Sequence, residues 1–386
     1  MPLTAFLART CYTPNLLENA VIVVEDDRIV AAGSRDEIDV PAGARQIRID
    51  DGCLAPGFID IHNHGAGGRD VMEATRDALS TVGATLARFG TTSYYPTTLT
   101  APSEDIERAV GFLADYIAAV ANDLVPAAQP LGIHMEGPYL SVKRRGVHPA
   151  AYIVEPTLEA YRAIASTAKG QLRIVTIAPE LKHAPDLIRE MVNTGVRPSM
   201  GHTDATYGEA DHAAQLGVRQ ATHVFNAMRP FGHRDPGVIG KVLTDARIQA
   251  ELIADGVHVD PHAVELLYRV KGAAGIVLIT DGLSAVGMPE GKYRVGGLEV
   301  EVAGGVCRHQ GTLAGSVLTL DRAVRNMRDF VNLPVEEAIR MATWNPARLM
   351  GVDDRKGRLR TGCDADLVIL DDDLQVRQVW TRGRPV

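Results

Sequence analysis

The sequence predicts an α/β fold, a (β/α)8 barrel of the TIM type with a small β-sandwich domain formed by both chain termini. From Gly57 onward, apolar runs typical of buried strands alternate with helical stretches, and eight such runs follow one another. Short strand-like segments precede and follow this region. With 386 residues and 46% hydrophobic content, the chain is long enough for one large domain and a smaller one.

Both ends of the chain have a sequence pattern typical of short β-strands in a small β domain. Residues 20–24 and 28–32 are apolar runs on either side of an acidic turn, as in a hairpin. The tail consists of similar short runs, so the simplest arrangement pairs it with the N-terminal strands. We therefore expect residues 1–55 and 350–386 to form the β-sandwich domain and residues 56–349 to form the barrel.

The eight predicted barrel strands are followed by the helical stretches that a parallel sheet needs for its crossovers. They are 57–64, 91–98, 131–138, 172–180, 196–203, 221–227, 250–258 and 276–282. A doubly wound open sheet is the alternative, but no Gly-x-Gly-x-x-Gly turn follows any of them. Helices are predicted over 73–89, 321–330 and 335–349, and residues 291–315 read as an excursion containing two strands.

Composition excludes several classes of partner. The net charge of −8 leaves no basic excess for binding nucleic acid. No run of eighteen or more apolar residues predicts a membrane span, and the N-terminus lacks the pattern of a signal peptide. The four cysteines are scattered, which is typical of reduced thiols. We expect a cytoplasmic protein that binds a small molecule, with no nucleic-acid or membrane partner.

Ionisable side chains stand where the predicted strands end. His62 and His64 are one residue apart, so they face the same side of the first strand. Later strands end in Glu136, His202, His223, His258 and Asp281. A single such histidine is more often a structural residue, but a barrel brings all of its strand ends to one mouth. The pattern therefore predicts a cluster of these groups.

Four histidines with Glu136 and Asp281 suit one or two divalent cations at mixed nitrogen and oxygen sites. We expect zinc, with iron, manganese or cobalt as alternatives, because such ligands do not select sharply. A bound cation lowers the pKa of water from about 15.7 to about 7, so the site predicts hydrolysis by metal-bound hydroxide. Asp281 is the candidate general base and acid. Its alternative role is that of a turn or helix-capping aspartate before Gly282.

Nine segments carry a resemblance to a known family that runs nearly end to end. They are 56–65, 90–92, 134–138, 143–149, 201–205, 222–228, 233–237, 254–258 and 280–282. The sequence resembles the amidohydrolase superfamily and, within it, the N-acetylglucosamine-6-phosphate deacetylases. The Glu-Gly-Pro, His-x-Phe-Asn-Ala-Met and His-Arg-x-Pro-Gly segments are the most specific to these deacetylases.

The resemblance implies how the ligands are shared between cations. Glu136, His202 and His223 would hold the main catalytic metal. Because this chain keeps His62 and His64, it resembles the branch of the family with two metals, and those two histidines would bind the second ion.

The resemblance also implies the substrate contacts. His148 and His258 would contact the sugar, and Asn226 and Ala227 would offer backbone amides to its phosphate. Arg234 would reach the phosphate in the neighbouring subunit of a homodimer, where its planar fork suits the anion. The expected reaction converts N-acetylglucosamine 6-phosphate into glucosamine 6-phosphate and acetate. The galactosamine epimer, another N-acyl or cyclic-amide substrate, and a catalytically dead barrel serving as a scaffold are the alternatives.

Overall fold

The computed structural model describes residues 3–386, and its centre is a barrel of eight parallel strands. The strands are Phe58–Asn63, Thr91–Thr98, Ile133–Glu136, Leu172–Ile177, Arg197–Met200, Gln220–Ala221, Gln249–Leu252 and Ile276–Leu278. Each pairs in parallel with the next. The ring closes where the Asp281 N–H donates to the His62 carbonyl at 3.0 Å. The predicted barrel is confirmed.

Most barrel strands are shorter than predicted. The sixth comprises only Gln220–Ala221, and the seventh ends at Leu252 instead of near His258. A short strand, Gln129–Pro130, pairs with the second barrel strand just before the third begins. The chain therefore leaves the barrel early on this side, and several site residues lie on the loops that follow the strands.

Helices cover the outside of the barrel. Within residues 3–386 the α-helices are Arg76–Arg88, Ser103–Val120, Leu158–Thr167, Ala184–Asn193, Tyr207–Gln215, Gly237–Thr244, Pro261–Lys271, Leu320–Val331, Val335–Ala342 and Trp344–Met350. The helix predicted over 335–349 is interrupted at Thr343, whose φ of −128° and ψ of −79° are not helical. No helix among the described residues combines the length and hydropathy needed to span a membrane.

Both ends of the chain contribute to one eight-stranded sheet beside the barrel. Its strands are Thr4–Tyr12, Leu16–Glu25, Arg28–Ser34, Arg45–Ile49, Cys53–Pro56, Leu367–Leu370, Val376–Thr381 and Arg384–Pro385. The two ends meet where Leu367–Leu370 pairs antiparallel with Cys53–Pro56. Apolar side chains pack on both faces, as the period of two along a strand dictates. The division into residues 1–55 with 350–386 and residues 56–349 stays a prediction about domains.

A small antiparallel sheet is inserted after the last barrel strand. Its strands are Gly291–Val295, Leu298–Ala303, Val306–His309 and Thr312–Leu313, where the sequence indicated two. The carboxylate of Asp70, which is buried beside the first barrel strand, accepts a hydrogen bond from the Gly296 N–H. This bond ties the first hairpin of the inserted sheet to the mouth of the barrel.

Candidate metal centre and active site

The first barrel strand is completely buried and points two imidazoles into the mouth of the barrel. The Nε2 atoms of His62 and His64 lie 3.2 Å apart. Glu136, the last residue of the third barrel strand, places its carboxylate oxygens 3.4 Å and 3.2 Å from these two atoms. Asp281 places Oδ1 at 3.4 Å and 3.2 Å from the same two atoms. These four side chains form one compact group.

Two further imidazoles reach the other side of the same glutamate. The Nε2 atoms of His202 and His223 lie 3.2 Å and 3.1 Å from Oε1 of Glu136, and 3.0 Å from each other. Both histidines have positive φ, 47° and 31°, in the loops after the fifth and sixth strands. These left-handed turns direct the rings inward. The structure thus brings all six predicted metal ligands together.

The donor set fits a cation because of the tautomers that its surroundings impose. The Nδ1 atoms of three of these histidines face hydrogen-bond acceptors, so each carries its hydrogen there and presents a lone pair from Nε2. The pairs are His62 with the Glu251 carboxylate at 3.2 Å, His64 with the Thr97 carbonyl at 3.1 Å and His202 with the Arg144 carbonyl at 3.0 Å. Lone pairs and carboxylate oxygens therefore converge, an arrangement that suits a divalent cation.

The charges of the cluster are strongly coupled. Burial would raise the pKa of Asp281, but His62 and His64 lower it to about 2. Burial would lower the pKa of His64, but Asp281 and Glu136 raise it to about 9. The carboxylates are therefore ionised, and protons on the imidazoles compete with any cation for the same atoms.

His148 also touches Glu136, although it was predicted only as a sugar contact. Its Nε2 lies 3.3 Å from Oε2 of Glu136, and its Nδ1 accepts the Thr100 N–H at 3.4 Å. A ring that accepts at Nδ1 carries its hydrogen at Nε2 when neutral. His148 therefore donates a hydrogen bond to Glu136, unlike the histidines that present lone pairs.

A cavity of about 240 Å³ opens directly onto the cluster. Its polar wall includes the predicted metal ligands except the fully buried His62, together with His148, Asn226, Ala227 and His258. The inserted sheet supplies the apolar side of the same cavity through Val295, Leu298, Val300 and Leu313. A small polar molecule with one apolar group would match these two walls.

His258 is held by an aspartate of its own loop. Its Nδ1 donates to Oδ2 of Asp255 at 2.6 Å, and its backbone N–H donates to Oδ1 at 2.7 Å. Burial would raise the pKa of Asp255, but these bonds leave it below the usual range. The ring is therefore fixed, and its Nε2 is the nitrogen left for a ligand.

The loop after the sixth strand offers a free backbone amide at Ala227. His223, Phe225 and Ala227 have φ values of 31°, 80° and 49°, and alternation of this kind is typical of anion-binding backbone nests. The Asn226 N–H already donates to the His223 carbonyl at 3.0 Å. The Ala227 N–H has no acceptor among residues 3–386.

Comparisons with known proteins agree with this geometry. The sequence pattern of the amidohydrolase family matches residues 53–386. The N-acetylglucosamine-6-phosphate deacetylase of Lysinibacillus sphaericus is 39% identical, with 94% of this chain and 97% of the relative covered. The chain belongs to the amidohydrolase family and, within it, to the N-acetylglucosamine-6-phosphate deacetylases.

Two other proteins are similar to this deacetylase-family chain. The N-acetylgalactosamine-6-phosphate deacetylase of Escherichia coli O157:H7 is 40% identical, with 86% of this chain and 87% of the relative covered. A mutant deacetylase of Mycobacterium smegmatis, solved in complex with N-acetyl-D-glucosamine-6-phosphate, has a TM-score of 0.92 and 36% identity. The alignment covers 100% of this chain and 99% of that one.

Arg234 is the one predicted site residue that this amidohydrolase chain does not bring to the cluster. It is exposed on the loop 231–235 and does not line the cavity. Within the described part of the chain, Arg234 has no ion pair, whereas nearby Arg229 binds Asp235 at 2.8 Å. Its predicted role depends on a second subunit and stays a prediction.

Sequence reasoning missed two features of this amidohydrolase site. One is Glu251, whose carboxylate bonds His62; the signal was an acidic residue between the apolar residues Ala250 and Leu252 of a buried strand. The other is the apolar wall from the inserted sheet, whose strands look like ordinary surface β structure. Nothing in their sequence indicates that they fold back over the barrel mouth.

Proposed function

We propose that this chain hydrolyses the acetamide of N-acetylglucosamine 6-phosphate, releasing acetate and glucosamine 6-phosphate. The observation that carries the proposal is the convergence of four histidine Nε2 atoms on Glu136, with Asp281 beside two of them. Relatives that cover nearly the whole chain are named as deacetylases of this sugar phosphate.

The ligands divide into two groups in the proposed site. Glu136, His202 and His223 would hold one divalent cation, and His62 and His64 would hold a second. A cation bound there would polarise the acetyl carbonyl and make a water molecule acidic at neutral pH. We propose zinc, while iron, manganese and cobalt suit the same ligands.

Asp281 is the proposed proton carrier. Its low pKa keeps the carboxylate ionised at neutral pH, so it can take a proton from the attacking water. It would then deliver that proton to the amide nitrogen, which leaves as the free amine. The side chain lies at the wall of the cavity, within reach of a molecule bound there.

His258 and His148 are the proposed sugar contacts. The Asp255 carboxylate fixes the orientation of the His258 ring, whose Nε2 would face the acetyl carbonyl of a sugar bound in the cavity. His148 lines the cavity beside Glu136 and would contact the sugar ring.

The phosphate would be bound by the loop after the sixth strand and by a second subunit. The free Ala227 N–H and the neighbouring Asn226 line the cavity, as an anion site on this loop requires. The partner subunit's Arg234 would supply the positive charge in a homodimer. We propose a cytoplasmic location, which the four buried, unpaired cysteines support because such thiols are typical of reducing compartments.

The test is acetate release by the purified protein, with and without added divalent cation. N-Acetylglucosamine 6-phosphate should be turned over only with the cation, and unphosphorylated N-acetylglucosamine much more slowly. Absence of turnover of any phosphorylated sugar by a protein loaded with metal would refute the proposal. Equal turnover with and without the phosphate would favour a general N-acyl hydrolase.

N-Acetylgalactosamine 6-phosphate is the second candidate substrate. The 40% identity to the Escherichia coli enzyme named for this epimer supports its inclusion. Comparing kcat/KM for the two epimers under identical conditions assigns the substrate, because the sugars differ only in the orientation of one hydroxyl.

A further inference from the structure

Glu251 is a fully buried carboxylate inside the barrel, on the seventh strand. It accepts three hydrogen bonds from three different elements. Oε2 faces His62 Nδ1 at 3.2 Å and the backbone N–H of His223 at 3.3 Å, and Oε1 accepts from the side-chain amide of Gln220. The carboxylate thus bonds both groups of candidate ligands without belonging to either.

The charge of Glu251 has no conventional partner. Among residues 3–386, no lysine or arginine lies within ion-pair distance of it, and His62 is the one ionisable side chain that it bonds. An unpaired carboxylate in a protein interior is costly, so its presence needs a compensating positive charge. A cation held by the opposite nitrogen of His62 would provide that charge through the imidazole ring.

His62 also differs from His64 and His202 in the hydrogen-bond acceptor that its Nδ1 faces. His64 and His202 donate from Nδ1 to backbone carbonyls, whereas His62 faces a carboxylate. A carboxylate behind an imidazole fixes its tautomer and makes the opposite nitrogen a stronger ligand. The His62 side of the cluster is therefore built to bind more tightly than a histidine pair alone.

We infer that Glu251 is the positioning residue that sets the cation affinity of the His62/His64 site and couples that site to His223. The inference rests on the proposed cation site, but it does not depend on the identity of the sugar. Oε2 of Glu251 bonds both the His62 ring and the His223 backbone. Removing the charge of Glu251 should therefore weaken cation binding most at the His62/His64 site. The site formed by Glu136, His202 and His223 keeps all of its ligands, so its cation affinity should change little.

The experiment measures cation binding to the apoprotein, without any substrate. Cobalt(II) and zinc are titrated into chelator-treated wild type and E251Q in competition with a chromogenic chelator. Glutamine keeps an oxygen for His62 and His223, while its amide faces Gln220, whose side-chain oxygen is otherwise unpaired and can accept after rotation. The variant should therefore fold, which circular dichroism checks.

We expect wild type to bind two cations and E251Q to bind one of them about 10- to 100-fold more weakly. Asp60→Asn is the matched control. Asp60 is another buried barrel carboxylate. It accepts hydrogen bonds from the Thr280 hydroxyl at 2.6 Å and from the backbone N–H of His62 at 3.3 Å, but it touches no imidazole ring, so it isolates the effect of a carboxylate behind the ring. It should keep both affinities within a few-fold of wild type.

Three results would overturn the inference: unchanged binding in E251Q, an equal loss in Asp60→Asn, or a wild-type chain that takes up a single cation. A protein that binds two cations in the predicted way but hydrolyses no acetylated sugar would leave this inference standing and refute the proposed function instead.

Discussion

Glu136 is the residue on which the arrangement of the cluster depends. Its Oε1 lies within 3.4 Å of three imidazoles, those of His62, His202 and His223, and its Oε2 faces those of His64 and His148. A single carboxylate can thus face two cation positions from one strand end. Burial would raise its pKa, but the surrounding histidines hold it well below the usual range. An amide at this position would offer only one acceptor oxygen.

The substitution Asp281→Asn tests the proposed proton transfer by a single residue. Asparagine keeps an oxygen near His62 and His64 but cannot accept a proton at neutral pH. We expect kcat to fall by about 10²- to 10⁴-fold while bound metal stays near the wild-type amount. Acetate release and elemental analysis of the same preparation measure the two quantities. A variant that retains substantial turnover would remove Asp281 from this role.

At the scale of elements, the sequence was informative where a strand is both buried and long. The second barrel strand, Thr91–Thr98, has the predicted bounds. The predicted strands end later than the observed ones wherever an apolar loop follows the last hydrogen bond of the sheet, as in the segments before His223 and His258. The cluster was still predicted correctly as a set of neighbours, because these loops leave the same end of the barrel.

The features that could not be predicted depend on contacts between distant segments. The interruption at Thr343 is the exception, since Pro346, three residues later, has no N–H with which to continue the helix and marks the break in the sequence. The inserted sheet has the alternation of any surface sheet. Its contacts with the barrel mouth, such as the bond between the Gly296 N–H and the distant Asp70 carboxylate, leave no mark in its own sequence. Glu251 was visible as a lone charge in a strand, but its partners lie on other strands.

Asp70→Ala tests whether the inserted sheet shapes the cavity. The variant removes the acceptor of the Gly296 N–H, next to Val295, which lines the cavity. We expect KM for the phosphorylated sugar to rise several-fold and metal content to stay unchanged. Asp77→Ala is the control, since that carboxylate is 79% exposed and, among residues 3–386, has an ion pair with Arg69 alone. Equal kinetics for both variants would show that the hairpin does not depend on Asp70.

For the whole molecule, a buried ion cluster joins the two ends of the chain to each other. Lys356, which follows the last helix, is only 1% exposed and lies 2.9 Å from Asp364 and 2.6 Å from Asp366. Arg28 of the N-terminal sheet also binds Asp364. Asp364 and Asp366 therefore have a structural role in holding the tail against the N-terminal sheet.

Lys356→Met should destabilise the protein by about 3–5 kcal/mol, because it leaves the buried Asp366 carboxylate without an ion-pair partner among residues 3–386, while Asp364 keeps Arg28 and Arg355. Chemical denaturation of wild type and variant measures the change in free energy of unfolding. Lys169→Met removes an exposed lysine, 60% accessible and 2.6 Å from Asp115, and should cost only about 0.2–1 kcal/mol. Similar losses for both variants would contradict a special role for the buried cluster.

Arg234 is the point at which the molecule would depend on a second copy of itself. It is exposed, unpaired within the described chain, and away from the cavity, with Phe231 beside it 55% exposed.

If Arg234 binds phosphate in the partner's site, the variants R234A and D281N should each be impaired alone. A mixture refolded together should regain activity, because the R234A subunit keeps Asp281 and receives an intact arginine from the D281N subunit. Separate refolding followed by mixing is the control and should give no recovery before subunits exchange. No recovery after joint refolding, in dimers shown by mass spectrometry to be mixed, would place Arg234 outside the shared site.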